Sequence, residues 1–138
     1  MAPRKTDLIA ALKPLRVGTV MSILVTTEVE AAIDGLDTKR KGRLKGIMGK
    51  LADYGPQHLP NKQFANEGRW PTGETNGRKI MIEALKVRQF RVYGHQMTID
   101  KNRYFIGVCV DPSKKNNAAD QALLAKAAHS MRQICEAV

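Results

Sequence analysis

At 138 residues the chain is the size of one ordinary domain, long enough for a single core and too short for two good ones. Hydrophobic residues make up 43%, which excludes a wholly disordered chain, and no apolar run reaches membrane-spanning length. The formal charge of +10 points to a polyanionic partner, nucleic acid or an acidic protein, and charge alone does not choose between them.

In chain order, TDLIAALK (6–13) predicts a short helix capped by Thr6 and ended by Pro14. LRVGTVMSILV (15–25) predicts a strand, because it is rich in β-branched residues and lacks helical spacing. Thr27 predicts the cap of a helix with Glu28 and Glu30 in its first turn and Val29, Ile33 and Leu36 as its apolar stripe. Gly35 and Asp37 break that run, and a second helix follows from Thr38. Its core face is Leu44, Ile47, Met48 and Leu51, at i, i+3, i+4 and i+7. Its outer face carries Lys39, Arg40, Lys41, Arg43, Lys45 and Lys50, and Gly55 closes it.

Residues 55–78, rich in Pro and Gly, predict a long and mostly irregular connection. Trp70 within it serves either to anchor the segment to the core or to stack a base. Three strands are predicted at 79–86, 87–94 and 103–110. They form an antiparallel meander, since no helix-length crossover separates them. The final helix shows Leu123, Leu124, Ala127, Met131 and Ile134 on one face. Cys109, in FIGVCV, reads as a buried core thiol. With Cys135 it makes neither a disulfide framework nor a zinc site, which leans towards a cytoplasmic location.

The strand region concentrates cations: Lys86, Arg88, Arg91, Arg103, Lys114 and Lys115. Strand parity puts Lys86 and Arg88 on one face and Arg91 on the other, unless a bulge re-aims it. Such a surface suits a phosphate backbone. RNA is cleaved without metal when its 2′-oxygen attacks the adjacent phosphorus. Cations then stabilise the phosphorane, and other groups move the two protons. His95, or a Lys with a lowered pKa, fits a proton-transfer role. His58, His95 and His129 lack paired metal-ligand spacing.

The stretch IMIEALKVRQFRVYG, followed by NRYFIGVCVDPSKKNN and ALLAKAAHSM, resembles the RelE/ParE toxin superfamily, chiefly its HigB or phage Gp49-like branch. MIEALKV stands for that branch's first meander strand, FRVYG for its arginine-bearing strand, and FIGVCVDPSKKNN for the apolar strand that ends in a basic turn. VEAAIDGL and KGRLKGIMGKLADYG match the opening helical hairpin in placement, and the likeness spans roughly residues 22–132. It implies an α+β domain over 21–138, after an N-terminal extension over 1–20, with a helical hairpin packed on a small antiparallel sheet and a C-terminal helix. It implies a toxin that cleaves mRNA on the ribosome without metal or cofactor, held in check by an acidic antitoxin.

By the same likeness Arg91 holds the scissile phosphate, Lys86 and Arg88 occupy the neighbouring basic strand positions, and Lys114 and Lys115 stand at the family's basic turn. Residue type adds His95 to the catalytic set with Arg91, Lys86 and Arg88, and adds Arg103, Lys45 and Arg43 to Lys114 and Lys115 as RNA-binding cations. The chain departs from the family pattern in its ending, SMRQICEAV, which has no tyrosine, and in Ile82 and Ala84, where related ribonucleases carry lysines. Two alternatives stand beside this reading: a non-catalytic nucleic-acid-binding or regulatory protein of the same fold, and a ParE-like gyrase poison.

Overall fold

Apolar residues on both faces of the strands require helices on both sides of the sheet. The computed structural model describes residues 3–112 and 120–138. The chain runs α1 (Lys5–Ala10), β1 (Lys13–Val17), β2 (Ser22–Val25), α2 (Thr27–Asp34), α3 (Thr38–Tyr54), a 3-10 turn (Pro56–His58), β3 (Phe64–Pro71), β4 (Lys79–Val87), β5 (Phe90–Ile99), β6 (Asn102–Asp111), α4 (Gln121–Ser130) and α5 (Arg132–Glu136). The strands form one sheet in the order β1-β2-β6-β5-β4-β3. Only the β2–β6 pair is parallel.

The chain is therefore α+β, and the small antiparallel sheet expected from the sequence is a larger, mixed one. The meander β4–β5–β6 forms as expected. The parallel neighbour comes from outside it, because α2 and α3 lie on the long crossover that brings β2 alongside β6.

On one face, Leu44, Ile47, Met48 and Leu51 of α3 meet Leu85, Val87, Phe90, Val92 and Phe105 of the sheet. Phe64 of β3 joins them edge-on against Phe105, with ring centroids 5.6 Å apart. On the other face, Leu124, Ala127, Ala128 and Met131 cover Ile82, Ala84, Tyr93 and Ile106. Thr26 caps α2 by accepting from the Val29 N–H at 3.3 Å, one residue before the expected Thr27. Asp37 caps α3, accepting from Arg40 N–H at 3.1 Å. Its carboxyl is held below the usual carboxylate range chiefly by the Arg40 side chain.

Three segments differ from expectation. The strand expected over 15–25 is two strands, β1 and β2, paired antiparallel. The connection 55–78 contains the edge strand β3, whose alternation is masked by a bulge between Asn66 and Arg69. The first helix ends at Ala10, and the first twenty residues contribute both α1 and the edge strand β1. Leu8, Ile9 and Leu12 pack on the α4-side cluster.

Trp70 also packs there and donates its Nε1–H to the Glu67 carbonyl at 3.0 Å, so it anchors its segment. Next to it, the loop 72–78 is fastened by the buried carboxylate of Glu74. That group accepts from Thr72 Oγ1 at 3.0 Å and pairs with Arg78 Nε at 3.1 Å, while Arg78 Nη1 donates to the Cys135 carbonyl. Cys109 and Cys135 are both buried and free, and burial pushes both thiols up. Among the described residues, no helix is long and apolar enough to cross a membrane.

Candidate nucleic-acid interface

The β4–β5 hairpin decides which cations meet. Arg88 and Gln89 form a two-residue turn, both with positive φ (20° and 61°), the twist that suits a tight hairpin. Strand parity restarts across such a turn. Lys86 pairs directly with Arg91, so the two share a face, which corrects the expectation that Arg91 points the opposite way. Arg88 lies in the turn rather than on a strand face and is exposed, and its carbonyl accepts from Arg40 Nη1 at 3.3 Å.

Lys86 and Arg91 belong to a polar row that crosses β4, β5 and β6 and continues to Gln63, just before β3. Lys86 N–H donates to the Gln63 carbonyl at 2.8 Å, Lys86 faces Arg91, and Arg91 faces Asp111. The next row inward is Ala65, Ala84, Tyr93 and Cys109. The cations thus stand where the apolar face gives out at the hairpin end. Glu67, from the β3 bulge, joins them. Its Oε1 lies 3.6 Å from Lys86 Nζ and 3.7 Å from Arg91 Nη1. All three side chains are largely buried, with exposures of 15%, 20% and 13% for Glu67, Lys86 and Arg91. Among the described residues, Arg91 Nη1, Gln63 Oε1 and the Tyr93 hydroxyl are buried without a hydrogen-bond partner.

An open cleft of about 380 Å³ lies against this row, lined by Asn61, Lys62, Lys86, Arg88, Gln89 and Arg91 among others. Arg88 and Gln89 also line a second cleft of about 290 Å³ with Lys39, Arg40 and Asp37, whose carboxylate pairs with Arg40. Cations therefore line both clefts at the hairpin tip, and in the second Asp37 offsets one of them. The Tyr93 hydroxyl, one row inward, is pushed up to about 12. Burial is the main cause; Arg91 opposes it, and Asp111 and Glu67 add to it. It is a protonated donor at every physiological pH.

The other expected residues are dispersed. His95 is on β5 four residues beyond Arg91, roughly 13 Å away at strand rise. Pairing between β4 and β5 ends at Glu83 and Gly94. Beyond that point the His95 Nδ1 lies 2.7 Å from the Met81 carbonyl, and because a carbonyl only accepts, Nδ1 carries the proton. Arg103 is the second residue of β6 while Asp111, beside Arg91, ends it, a separation of roughly 26 Å. Its Nη2 donates to Gln96 Oε1 at 3.3 Å. Arg43 and Lys45 are exposed on α3, on the opposite side of the sheet from Lys86 and Arg91. Lys114 and Lys115 lie outside the described residues. Lys62, Gln63 and Glu67 were missed because they sit in or beside the strand concealed within 55–78. Phe64 and Trp70, two aromatic residues flanking a Gly, were the available signal.

His95 ties this part of the sheet to pH. Burial holds its pKa below 6.5, against the opposing bond to Met81. A histidine whose folded pKa is depressed gives stability that is complete above the unfolded value. That stability is lost as pH falls below it, because the unfolded chain then binds the proton more readily. Glu83 acts in the opposite sense. Burial raises its carboxyl above 4.5 despite the Gln96 hydrogen bond, so the folded state is favoured as pH falls through that raised range. His95→Asn keeps an N–H for Met81 and does not titrate. In urea melts from about pH 7 to about pH 5 it is expected to lose less stability than the parent. Equal losses would show that His95 is not the group responsible.

No family model, curated protein or solved structure matches this chain.

Proposed function

We propose that the chain binds the phosphate backbone of RNA around the β4–β5 hairpin tip and cleaves it without metal, acting as a toxin of the RelE/ParE type against mRNA on the ribosome and silenced by an acidic antitoxin. The observation that carries this reading is the cross-strand pair Lys86–Arg91, two largely buried cations that line an open cleft together with the exposed Lys62 and Arg88. Recessed cations retain their field, whereas exposed ones are screened within about 10 Å at ordinary salt. Two neighbouring donors suit the non-bridging oxygens of one phosphate, and the exposed cations suit its neighbours along the chain. The succession of helical hairpin, antiparallel meander and final helix, on which the resemblance rested, supports the same reading.

In the chemical step, the 2′-oxygen loses its proton and bonds to phosphorus while the bond to the 5′-oxygen breaks and that oxygen gains a proton. Arg91 and Lys86 stabilise the charge on the phosphorane oxygens.

A second reading, a non-catalytic RNA-binding module on the same surface, is favoured by the absence, among the described residues, of a proton carrier beside the Lys86–Arg91 pair. His95 stands roughly 13 Å along β5 from Arg91, and the Tyr93 hydroxyl stays protonated to about 12. Induced expression in a bacterial host, followed by primer extension on several abundant mRNAs, separates the two. Discrete new 5′ ends are expected with the parent chain and none with Arg91→Ala. Intact mRNA under both, with the protein present and folded, would leave the binding module.

A further inference from the structure

We infer that Glu67 sets what the cleft accepts: it is an internal anion occupying the Lys86–Arg91 pair, so that a lone phosphate is refused and a phosphodiester chain is admitted. The inference rests on the cleft being a phosphate site, and its test separates the two claims. One carboxylate oxygen, Oε1, stands between both cations at 3.6 and 3.7 Å. These distances exceed the 2.7–2.9 Å typical of a charge-assisted hydrogen bond. Glu67 supplies charge and leaves the donors unused, as the buried and unpartnered Arg91 Nη1 attests among the described residues.

The backbone allows the carboxylate to leave. Glu67 lies in the bulge between Asn66 and Arg69 of an edge strand, where the register with β4 shifts and neither Glu67 nor Gly68 has a partner across the ladder. Gly68 sits at φ 92°. The bulge is held by Trp70 Nε1–H on the Glu67 carbonyl and by Gly68 N–H on Asn66 Oδ1 at 2.7 Å, and neither bond involves the carboxylate. The side chain can rotate outward with the strand intact.

Charge then decides which ligand displaces it. Lys86, Arg91, Glu67 and Asp111, the last facing Arg91 across the ladder, together carry no net charge, being two cations and two anions. A single phosphate entering there replaces one anion by another on the same two cations and must also be immobilised, so it gains little. A phosphodiester chain also reaches Lys62 and Arg88, which meet no carboxylate among the described residues, and those contacts outweigh the displacement.

The test uses the full chain and a fluorescent 2′-O-methyl oligoribonucleotide, which lacks the attacking hydroxyl. Inorganic phosphate serves as competitor, against chloride of equal ionic strength. For the parent chain, phosphate is expected to displace the probe no better than chloride. Glu67→Gln is expected to bind the probe roughly tenfold more tightly, the worth of one charged hydrogen bond gained. Its salt dependence should steepen by roughly one unit of slope, and phosphate should now compete specifically. Adding Arg91→Ala to Glu67→Gln should erase both gains. Melting curves verify folding. If the amide variant does not fold, Glu67→Asp, with its charge drawn back by one methylene, carries the test with gains in the same direction. Specific competition by phosphate in the parent chain, or unchanged or weaker probe binding by both Glu67 variants, overturns the inference. If Lys86→Ala and Arg91→Ala leave probe binding at the level of Lys50→Ala, it is the phosphate site itself that fails.

Discussion

Gly94→Ala is expected to destabilise the fold by about 3 kcal/mol or more, at the upper end of what overpacking costs. A Cβ built at Gly94 would lie 2.3 Å from the Ile106 carbonyl oxygen, 2.7 Å from Phe105 Cζ and 2.9 Å from the Ile106 carbonyl carbon. Two of these three atoms are backbone, so no side-chain rotation relieves the contact. The strand concerned lies between β4 and β6 and carries residues into both cores, so the strain cannot be shed at an edge. The position is also where register changes: Tyr93 faces Cys109, Gly94 faces Gly107, and Val108 is the extra residue. This bulge returns Asp111 to the face that Arg91 occupies. A one-residue slip would turn it to the other face and dismantle the polar row. The midpoint of thermal melting should drop by roughly 10 °C, and oligonucleotide binding should weaken with it. Gly42→Ala is the contrast. Gly42 lies within α3 with nothing within 4 Å of an added Cβ, so alanine there should stabilise by up to about 1 kcal/mol. Equal and small effects at the two positions would refute the bulge argument.

The features readable from the sequence are those written in local periodicity. Leu44, Ile47, Met48 and Leu51 share one side of a helix by spacing alone, and all four are buried. The meander and the first part of the final helix were legible for the same reason, since each is defined within a dozen residues, whereas the single final helix expected through Ile134 breaks at Met131 into α4 and α5. The unread features depend on partners distant in sequence or on backbone conformations the residues do not advertise. Arg88 and Gln89 adopt positive φ with neither Gly nor Asn to signal it. Without that turn, parity counting sent Arg91 to the wrong face and hid its pairing with Lys86. The edge strand Phe64–Pro71 carries a Gly and ends on Pro, both of which lower a strand reading although an edge position tolerates them. With that strand went Glu67, whose carboxylate lies within 4 Å of both Lys86 and Arg91. The individual charges of the candidate site were therefore visible, whereas their grouping needed the hairpin turn and the bulge. His95 and Arg103 show the converse: residue type suggested a site, and strand length separated them from it.

Arg91→Ala should lower oligonucleotide affinity by roughly 30-fold or more, the cost of truncating a recessed charge that engages phosphate. It should also reduce the slope of log affinity against log salt by about one. Arg88→Ala, at an exposed position, should cost less than tenfold with a similar change of slope, because a screened charge contributes counterion release and little else. The recessed position is what separates them. Arg91 has 13% of its side chain exposed and holds a buried Nη1 with no hydrogen-bond partner among the described residues, so its donor is free for a phosphate oxygen that displaces the Glu67 carboxylate. The arginine variant also leaves Glu67 facing Lys86 alone, so the protein should remain folded with a modestly lower melting midpoint. Arg91→Lys separates charge from geometry. It keeps the cation and therefore the salt slope, but gives up the planar fork that fits a phosphate, so affinity should fall while the slope stays. Should lysine restore parental affinity in full, Arg91 would be acting as a point charge. Should alanine leave affinity and slope intact, the phosphate lies elsewhere, and the cationic helix face of Arg43 and Lys45 would be the surface to test next.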